Sequence, residues 1–240
     1  NGNNYDGENP LEQIDSTSSY YDSSNANHVR SASVKASILS LAGARDSILA
    51  LATTEAQKAA FAETFDVPMF LVYYVVSQVI DNYDGFYKNW IWTMYSGKAA
   101  PNFYDMDSLF GRYWNGTHVF HAPNWGDVEN YSDSNSISHL FVSLYADEIA
   151  AIYGELREAK VFTVENIMGY LRDWLERIGR AALKRNIDKW PTLPSYRPTG
   201  ESAYQDGTGT ANGMYDSVER VSLWLAGRIT YLDNKYGYTE

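Results

Sequence analysis

Five side chains that could hold a divalent cation lie close together along the chain. They are four aspartates and one asparagine, in two groups: Asp81, Asp84 and Asn89, then Asp105 and Asp107. Carboxylates that are gathered at one point repel one another unless a cation lies among them. Carboxylate and amide oxygens are also the ligands that Mg²⁺ and Ca²⁺ take in proteins. The residue types therefore indicate a divalent-cation site, provided that the two groups meet in the fold.

The segment between the two groups is predicted to be a β-hairpin. Residues 86–95 are rich in aromatic and β-branched side chains, a composition typical of a strand. Residues 96–98 are predicted to form a turn, after which residues 99–104 return as the second strand. An antiparallel hairpin brings the residues before its first strand next to those after its second. The hairpin is therefore expected to place the two acidic groups side by side.

The spacing of Asp84 and Asn89 has a counterpart in the catalytic loop of protein kinases. There an Asp that contacts the substrate hydroxyl is followed, at the same interval, by an Asn that binds Mg²⁺. Asp105 and Asp107 follow where those enzymes present another metal-binding Asp, and Gly111 closes the segment. An Asp-x-x-x-x-Asn pair is common by chance, however. The sequence also contains neither a Gly-x-Gly-x-x-Gly loop nor a strand lysine of the kinase type.

Each of these aspartates also has an ordinary structural interpretation. Asp81 or Asp84 could be a turn residue, because Asp-Gly is a common turn pair. Asp105 or Asp107 could cap a short helical turn over residues 108–111. Taken singly, each Asp is more often structural than functional. The prediction of a cation site therefore depends on these residues acting together.

Composition excludes several classes of function. The 240 residues carry 19 Lys and Arg against 30 Asp and Glu, a net charge of −11. This charge argues against nucleic acid or an anionic membrane surface as a partner. There is no cysteine, so disulfides and thiolate metal sites are excluded. No apolar run reaches the roughly 18 residues of a membrane-spanning helix.

The chain is predicted to contain a polar arm and one large lobe. Residues 1–32 are dominated by Asn, Ser, Asp and Gly and are expected to form an arm with little packing of its own. Residues 33–240 are expected to form the lobe, with the hairpin at about residues 86–105 inside it. The first residues, Asn-Gly-Asn-Asn, do not include Met. We therefore expect a processed chain or a segment of a longer protein.

The hydrophobic periodicity predicts a mainly α-helical fold with a small β-hairpin. Thr53, Asp66 and Thr163 are expected to cap the helices that follow them. The helix after Asp66 is apolar on most faces and is therefore expected to be buried at the centre. The predicted helices cover residues 33–51, 54–65, 68–80, 137–156, 164–185 and 215–236.

Two motifs together resemble the CotH kinase family, atypical kinases first known from spore coats. The family pattern is Asp-Gly-x-x-x-Asn, an aromatic strand, and Pro-Trp-Asp-hydrophobic-Asp-x-x-Phe-Gly. Residues 84–89 are Asp-Gly-Phe-Tyr-Lys-Asn, and residues 103–111 are Phe-Tyr-Asp-Met-Asp-Ser-Leu-Phe-Gly. Tyr104 stands where the family usually has Trp. The likeness covers about residues 34–236. Three further segments are similar to family segments: 161–166, 189–191 and 223–233.

The resemblance implies a protein-kinase-like helical C-terminal lobe that transfers phosphate from ATP to protein hydroxyls with the help of Mg²⁺. It implies that Asp84 is the catalytic or metal-associated Asp and that Asn89 is a metal ligand. Asp105 or Asp107 would be the second metal-binding Asp, with Asp107 slightly preferred. No pattern of the nucleotide-binding N-terminal lobe, with its lysine, is recognisable in the sequence ahead of Ser33. We therefore expect either that an earlier segment supplies it or that the domain is reused without catalysis.

Domains similar to this one also occur in structural proteins of phage tails and in bacterial surface proteins. The alternative interpretation is therefore a non-catalytic structural or adhesion module, whose acidic residues form a hydrogen-bonded turn or bind a structural Ca²⁺. Its partners would be components of a virion or a surface assembly rather than a protein substrate. Either interpretation predicts an extracellular, spore-surface or virion location. Carbohydrate binding through exposed Trp and Tyr is a third possibility, which needs aromatic side chains on a concave face.

Overall fold

A computed structural model describes residues 32–86, 89–106, 109–111, 124, 126–131, 136–189 and 211–240. These residues form seven α-helices and one two-stranded antiparallel sheet, which confirms the predicted mainly α-helical fold with a small hairpin. The predicted N-terminal arm lies almost wholly outside the described residues. The helices are α1 (Ala32–Leu49), α2 (Thr54–Thr64), α3 (Val67–Ile80), α4 (Ile137–Glu158), α5 (Val164–Ile178), α6 (Arg180–Lys189) and α7 (Ala211–Tyr236), and the strands are β1 (Trp90–Tyr95) and β2 (Lys98–Phe103).

Side chains cap three of these helices where the sequence predicted caps. The Thr53 hydroxyl accepts a hydrogen bond from the backbone N–H of Ala56 at 3.2 Å. The Asp66 carboxylate accepts one from the backbone of Met69 at 3.1 Å. The Thr163 hydroxyl accepts one at 3.1 Å from the third residue of its helix. The first N–H groups of a helix have no partner within it, so such caps stabilise its start. The three predicted caps are confirmed.

The single helix predicted over residues 164–185 is wrong, because the chain breaks at Gly179. This glycine has φ +75° and ψ 151°, a backbone region that is essentially restricted to glycine. It ends α5, and α6 begins at the next residue. Periodicity alone did not reveal the break, since the apolar spacing continues across it. The last helix also begins earlier than predicted, at Ala211.

The hairpin is shorter than predicted. Residues Asp84–Phe86 form a 3₁₀ turn, and β1 begins only at Trp90. The strands pair from Trp90 with Phe103 at one end to Tyr95 with Lys98 at the other. The two-residue connection between them has positive φ at both positions, 50° and 81°, as the common type I′ hairpin turn requires. The predicted turn is therefore confirmed, with Lys98 in the strand rather than in the turn.

The described residues fall into two compact units. The first unit comprises described residues up to Ser77, those of Tyr83–Met106 and those of Asp127–Ile149. The second comprises those of Gln78–Asn82, Asp107–Gly126 and Ala150–Glu240. The helices α3 and α4 each contribute residues to both units. No helix among the described residues is long and apolar enough to cross a membrane.

An aromatic cluster forms the core of the first unit. The Phe61 ring centroid lies 4.6 Å from that of Phe65 and 5.7 Å from that of Phe141. Phe70 stacks on Phe141 at 4.3 Å. Trp92 of β1 joins the cluster, 5.6 Å from Phe65 and 5.9 Å from Phe70. Aromatic pairs contribute about 0.5–1.5 kcal/mol each beyond their burial. The cluster therefore fixes the hairpin against α2 and α3, which position the candidate site.

The second unit is built from α5, α6 and α7 with the last turns of α4. Arg157 of α4 donates two hydrogen bonds to the Asp233 carboxylate, from Nε at 2.8 Å and from a terminal nitrogen at 2.9 Å. Arg157 also donates to the backbone carbonyl of Phe162 at 2.8 Å. Bidentate pairs of this kind are stronger and more directional than single contacts. This pair joins the end of α4 to α7.

Candidate functional site

Asp84 lies in the 3₁₀ turn that follows α3, and it is only 8% exposed. The side-chain amide of Asn89 donates a hydrogen bond to Oδ2 of Asp84 at 2.6 Å. The backbone N–H of Asn89 donates to the backbone carbonyl of Asp84 at 3.1 Å. Since an ionised carboxylate only accepts hydrogen bonds, the NH₂ group of the amide must face it. Side chain and backbone together close a loop from Asp84 to Asn89.

The structure thus brings together the two residues whose spacing first suggested a catalytic loop. At this spacing the side chain of Asn89 can reach back to the Asp84 carboxylate at the start of the turn, so the two side chains can act at one site. The amide oxygen of Asn89 points away from Asp84 when its nitrogen donates to that carboxylate. That oxygen is the atom which a metal ion would take as a ligand.

The hairpin places Asp105 at the same end as Asn89. Asn89 directly precedes Trp90, whose partner Phe103 lies two residues before Asp105. Asp105 is exposed and has φ 50°, in the left-handed region that Asp tolerates better than most residues. Asp107, the other predicted metal ligand, lies outside the described residues. The choice between Asp105 and Asp107 therefore stays a prediction.

The oxygen donors of this site fit the way that proteins bind Mg²⁺. Asp84, Asn89 and Asp105 supply carboxylate and amide oxygens, and protein sites often hold Mg²⁺ through one or two carboxylates plus substrate phosphates. No three His, Cys, Asp or Glu side chains within the described ranges lie close enough to share a metal ion.

Two neighbouring tyrosines of α3, Tyr73 and Tyr74, contact residues of the Asp84 turn, and neither belongs to an acidic motif. Tyr73 donates a hydrogen bond to the backbone carbonyl of Gly85 at 2.8 Å. Tyr74 donates to the carboxylate of Glu129 at 2.9 Å, and Glu129 is only 5% exposed. The signal in the sequence was a Tyr-Tyr pair inside a mostly apolar helix, because a buried tyrosine hydroxyl needs a hydrogen-bond partner.

Asp81 occupies different surroundings from Asp84, although it lies only three residues earlier. It belongs to the second unit, is fully buried and has φ 56°. Burial raises the pKa of Asp81 to about 6, against the opposing effects of the Arg228 charge and a hydrogen bond from the backbone of Gly111. The sequence grouped Asp81 with the cation ligands. The structure instead buries it in the second unit, where the charge of Arg228 and the backbone of Gly111 act on its carboxyl group.

Arg228 is fully buried and donates hydrogen bonds to neighbouring residues of the second unit. Its guanidinium donates to the backbone carbonyl of Gln78 at 2.8 Å and to its side-chain oxygen at 2.9 Å. It also donates to the backbone carbonyl of Gly126 at 3.0 Å. Nearby, the backbone N–H of Phe110 donates to the carbonyl of Ile80 at 2.6 Å. Phe110, in the segment that closes the second acidic motif, is therefore bonded to the last residue of α3.

Comparison with known proteins relates most of the chain to one family of kinases. A family model described as CotH kinase protein matches residues 5–232. No curated protein and no solved structure matches the chain at a significant level. The matched range includes both acidic motifs, the Asp84 turn and the buried arginine of α7.

Proposed function

This chain belongs to the CotH kinase family, and from that membership and the geometry of the Asp84 turn we propose that it transfers the γ-phosphate of ATP to protein hydroxyls. The observation that carries the proposal is the 2.6 Å hydrogen bond between the Asn89 amide and the Asp84 carboxylate. It holds, in one closed loop, the two residue types that such a reaction needs at this interval. Its substrates are ATP and a protein with an accessible hydroxyl group.

Asp84 is proposed to act on the acceptor hydroxyl. The hydroxyl oxygen forms a bond to the γ-phosphorus while the bond from that phosphorus to the bridging oxygen of ADP breaks, and Asp84 takes the hydroxyl proton. A carboxylate that turned freely would do this poorly, because reactivity depends on alignment of the reacting atoms. The hydrogen bond from Asn89 supplies that alignment, since it fixes the orientation of the carboxylate.

The Asn89 oxygen and the carboxylate of Asp105 or Asp107 are proposed to hold Mg²⁺ beside the phosphates of ATP. When bound, the ion supplies positive charge that offsets the charge on the phosphate oxygens. The hairpin contributes by keeping Asn89 and Asp105 at one end of a rigid, paired element. The aromatic contacts of Trp92 hold that element on the core of the first unit.

The test is phosphate transfer from ATP labelled on the γ-phosphate, by the full-length protein, to itself and to dephosphorylated casein. Asp84→Asn keeps the size of the side chain and removes the proton acceptor, so we expect a loss of about 100-fold or more. Asp188→Asn is the matched control, because that carboxylate lies on the surface with 59% of its side chain exposed. Equal incorporation by wild type, Asp84→Asn and Asp188→Asn would refute the proposed activity.

The same assay decides between the two candidate metal ligands. The variant that lacks the true ligand is expected to need more Mg²⁺ for half-maximal transfer, whereas the other variant should resemble wild type. The pair Asp105→Asn and Asp107→Asn makes this comparison with identical chemical changes.

A second candidate function is that of a non-catalytic structural or adhesion module of a virion, phage tail or bacterial surface. The observation that favours it is again the bond from Asn89 to Asp84, because a side-chain hydrogen bond that closes a turn is also an ordinary structural device. In that case Asn89→Ala destabilises the fold by about 1 kcal/mol, while neither ATP nor Mg²⁺ shifts the melting temperature. This alternative would be contradicted if ATP and Mg²⁺ together raised the melting temperature of wild type but left that of the Asn89→Ala variant unchanged. Both functions are proposed to operate at a spore surface, on a virion or outside the cell.

A further inference from the structure

We propose that Tyr73 is a positioning residue for phosphate transfer, which fixes the backbone of the Asp84–Asn89 loop from the side of α3. The proposal deepens the function proposed above and rests on it. Tyr73 does not belong to either acidic motif, and nothing in their spacing points to it. Its contacts connect α3 to both chain segments that carry the predicted catalytic and metal-binding side chains.

The first contact of Tyr73 is with the backbone next to Asp84. Its hydroxyl donates to the carbonyl of Gly85 at 2.8 Å, and both residues are buried. Glycine has more conformational freedom than any other residue, so the peptide next to Asp84 needs an outside restraint to hold one conformation. The hydrogen bond from Tyr73 supplies such a restraint directly beside the residue that bears the carboxylate.

The bond from Tyr73 to the Gly85 carbonyl complements the backbone hydrogen bonds on either side of it. On one side, the N–H of Phe86 donates to the carbonyl of Tyr83 at 3.1 Å. On the other, the N–H of Asn89 donates to the carbonyl of Asp84 at 3.1 Å. The Gly85 carbonyl lies between them, and its bond comes from the side chain of a distant helix residue. These three bonds and the side-chain bond from Asn89 to Asp84 restrain the loop, and the bond from Tyr73 anchors it to α3.

The second contact is made by the Tyr73 ring. Its centroid lies 5.4 Å from that of Phe86, inside the Asp84 turn, and 4.6 Å from that of Phe103, on which it stacks. Phe103 ends β2, two residues before Asp105. The ring thus lies between the turn that bears Asp84 and the strand that leads to Asp105. One side chain therefore restrains the distance between the two segments that have to meet at the phosphates.

α3 is suited to carry such a residue, because its own position is well determined. Its first turn is capped by Asp66, and Phe70, one turn before Tyr73, stacks on Phe141 in the core of the first unit. Tyr73 itself is 2% exposed. A rigid, buried helix that presents a hydroxyl to a glycine carbonyl provides the support that a functional loop requires.

The test compares Tyr73→Phe with Tyr145→Phe in the full-length protein. Both variants lose a tyrosine hydroxyl that donates to a backbone carbonyl, since Tyr145 donates to Lys58 at 3.1 Å in the aromatic core. With labelled ATP, Tyr73→Phe is expected to lower kcat about tenfold, because small misplacements of reacting groups are costly. Its KM for ATP should stay within about twofold of wild type. Tyr145→Phe is expected to leave kcat unchanged although both variants lose similar stability.

Hydrogen exchange supplies a second readout that does not depend on catalysis. Tyr73→Phe is expected to speed the exchange of the Phe86 and Asn89 amides about fivefold, whereas Tyr145→Phe should not. A kcat for Tyr73→Phe equal to that of wild type would overturn the proposal while leaving the kinase function intact. Unchanged exchange in the loop would overturn it too. If wild type transfers no phosphate but the exchange differs as described, the proposed function fails and Tyr73 remains only the anchor of this turn.

Discussion

Replacing Asp81 by Asn should reveal a stability cost that wild type carries at neutral pH. Burial raises the pKa of Asp81 in the folded protein to about 6, from an ordinary value of 3.8. The folded state therefore holds this proton more tightly than the unfolded state. Between about pH 4 and pH 6 the folded protein binds more protons, so its stability falls as the pH rises. The cost is absent below pH 4 and complete above pH 6.

The magnitude follows from the two pKa values. A difference from 3.8 to about 6 corresponds to about 3 kcal/mol. Asn has nearly the same shape, does not titrate, and tolerates the positive φ of this position. The quantity to measure is the free energy of unfolding of wild type minus that of Asp81→Asn. We expect this difference to fall by about 2.4 kcal/mol from pH 4 to pH 7, most of the full change, whatever its absolute value.

Urea unfolding followed by circular dichroism, at half-unit steps from pH 3.5 to pH 7.5, measures this difference. Asp46→Asn, at a side chain that is 79% exposed, is measured in the same series as the surface comparison. A flat difference for Asp81→Asn between pH 4 and pH 7 would refute the reasoning. It would mean that the charge of Arg228 outweighs burial and holds the pKa of Asp81 at or below its ordinary value.

Two further substitutions test the contacts that define the second unit. Gly179→Ala should destabilise the protein by about 1–3 kcal/mol, because its backbone conformation is strained for any residue with a Cβ; Gly43→Ala, in the middle of an exposed helix face with open space around it, is the control. Arg157→Lys should cost about 1–2 kcal/mol, because lysine cannot form the two parallel bonds to Asp233. Thermal unfolding measures both costs. An unchanged melting temperature would contradict the role given to the Gly179 conformation or to the Arg157–Asp233 pair, according to the variant.

The sequence predicted most of the local structure of this chain. The caps at Thr53, Asp66 and Thr163 were recognisable because a capping side chain bonds to a backbone group only three residues away. The hairpin and its turn were recognisable for the same reason, since two adjacent residues with suitable backbone preferences determine the reversal. The interval from Asp84 to Asn89 likewise lies within one short loop.

Other features depended on residues far along the chain. Nothing near Asp81 indicates that it differs from Asp84, because its surroundings are set by Arg228, which lies in the last helix. Arg228 and Gln78, which share two hydrogen bonds, are 150 residues apart in sequence. The partner of the Tyr73 hydroxyl was equally hidden, since helical periodicity shows that a side chain is buried but not what it meets.

The sequence by itself therefore determined the helices, their caps and the hairpin. It also determined the pair of residues, Asp84 and Asn89, on which the candidate site is based. Only the tertiary structure decided which aspartate is buried within the influence of an arginine charge, which tyrosine donates to the Asp84 turn, and where α5 ends. The physical reason is range. Capping, turn and propensity effects act over a few residues, whereas burial and charge depend on every segment that the fold brings near.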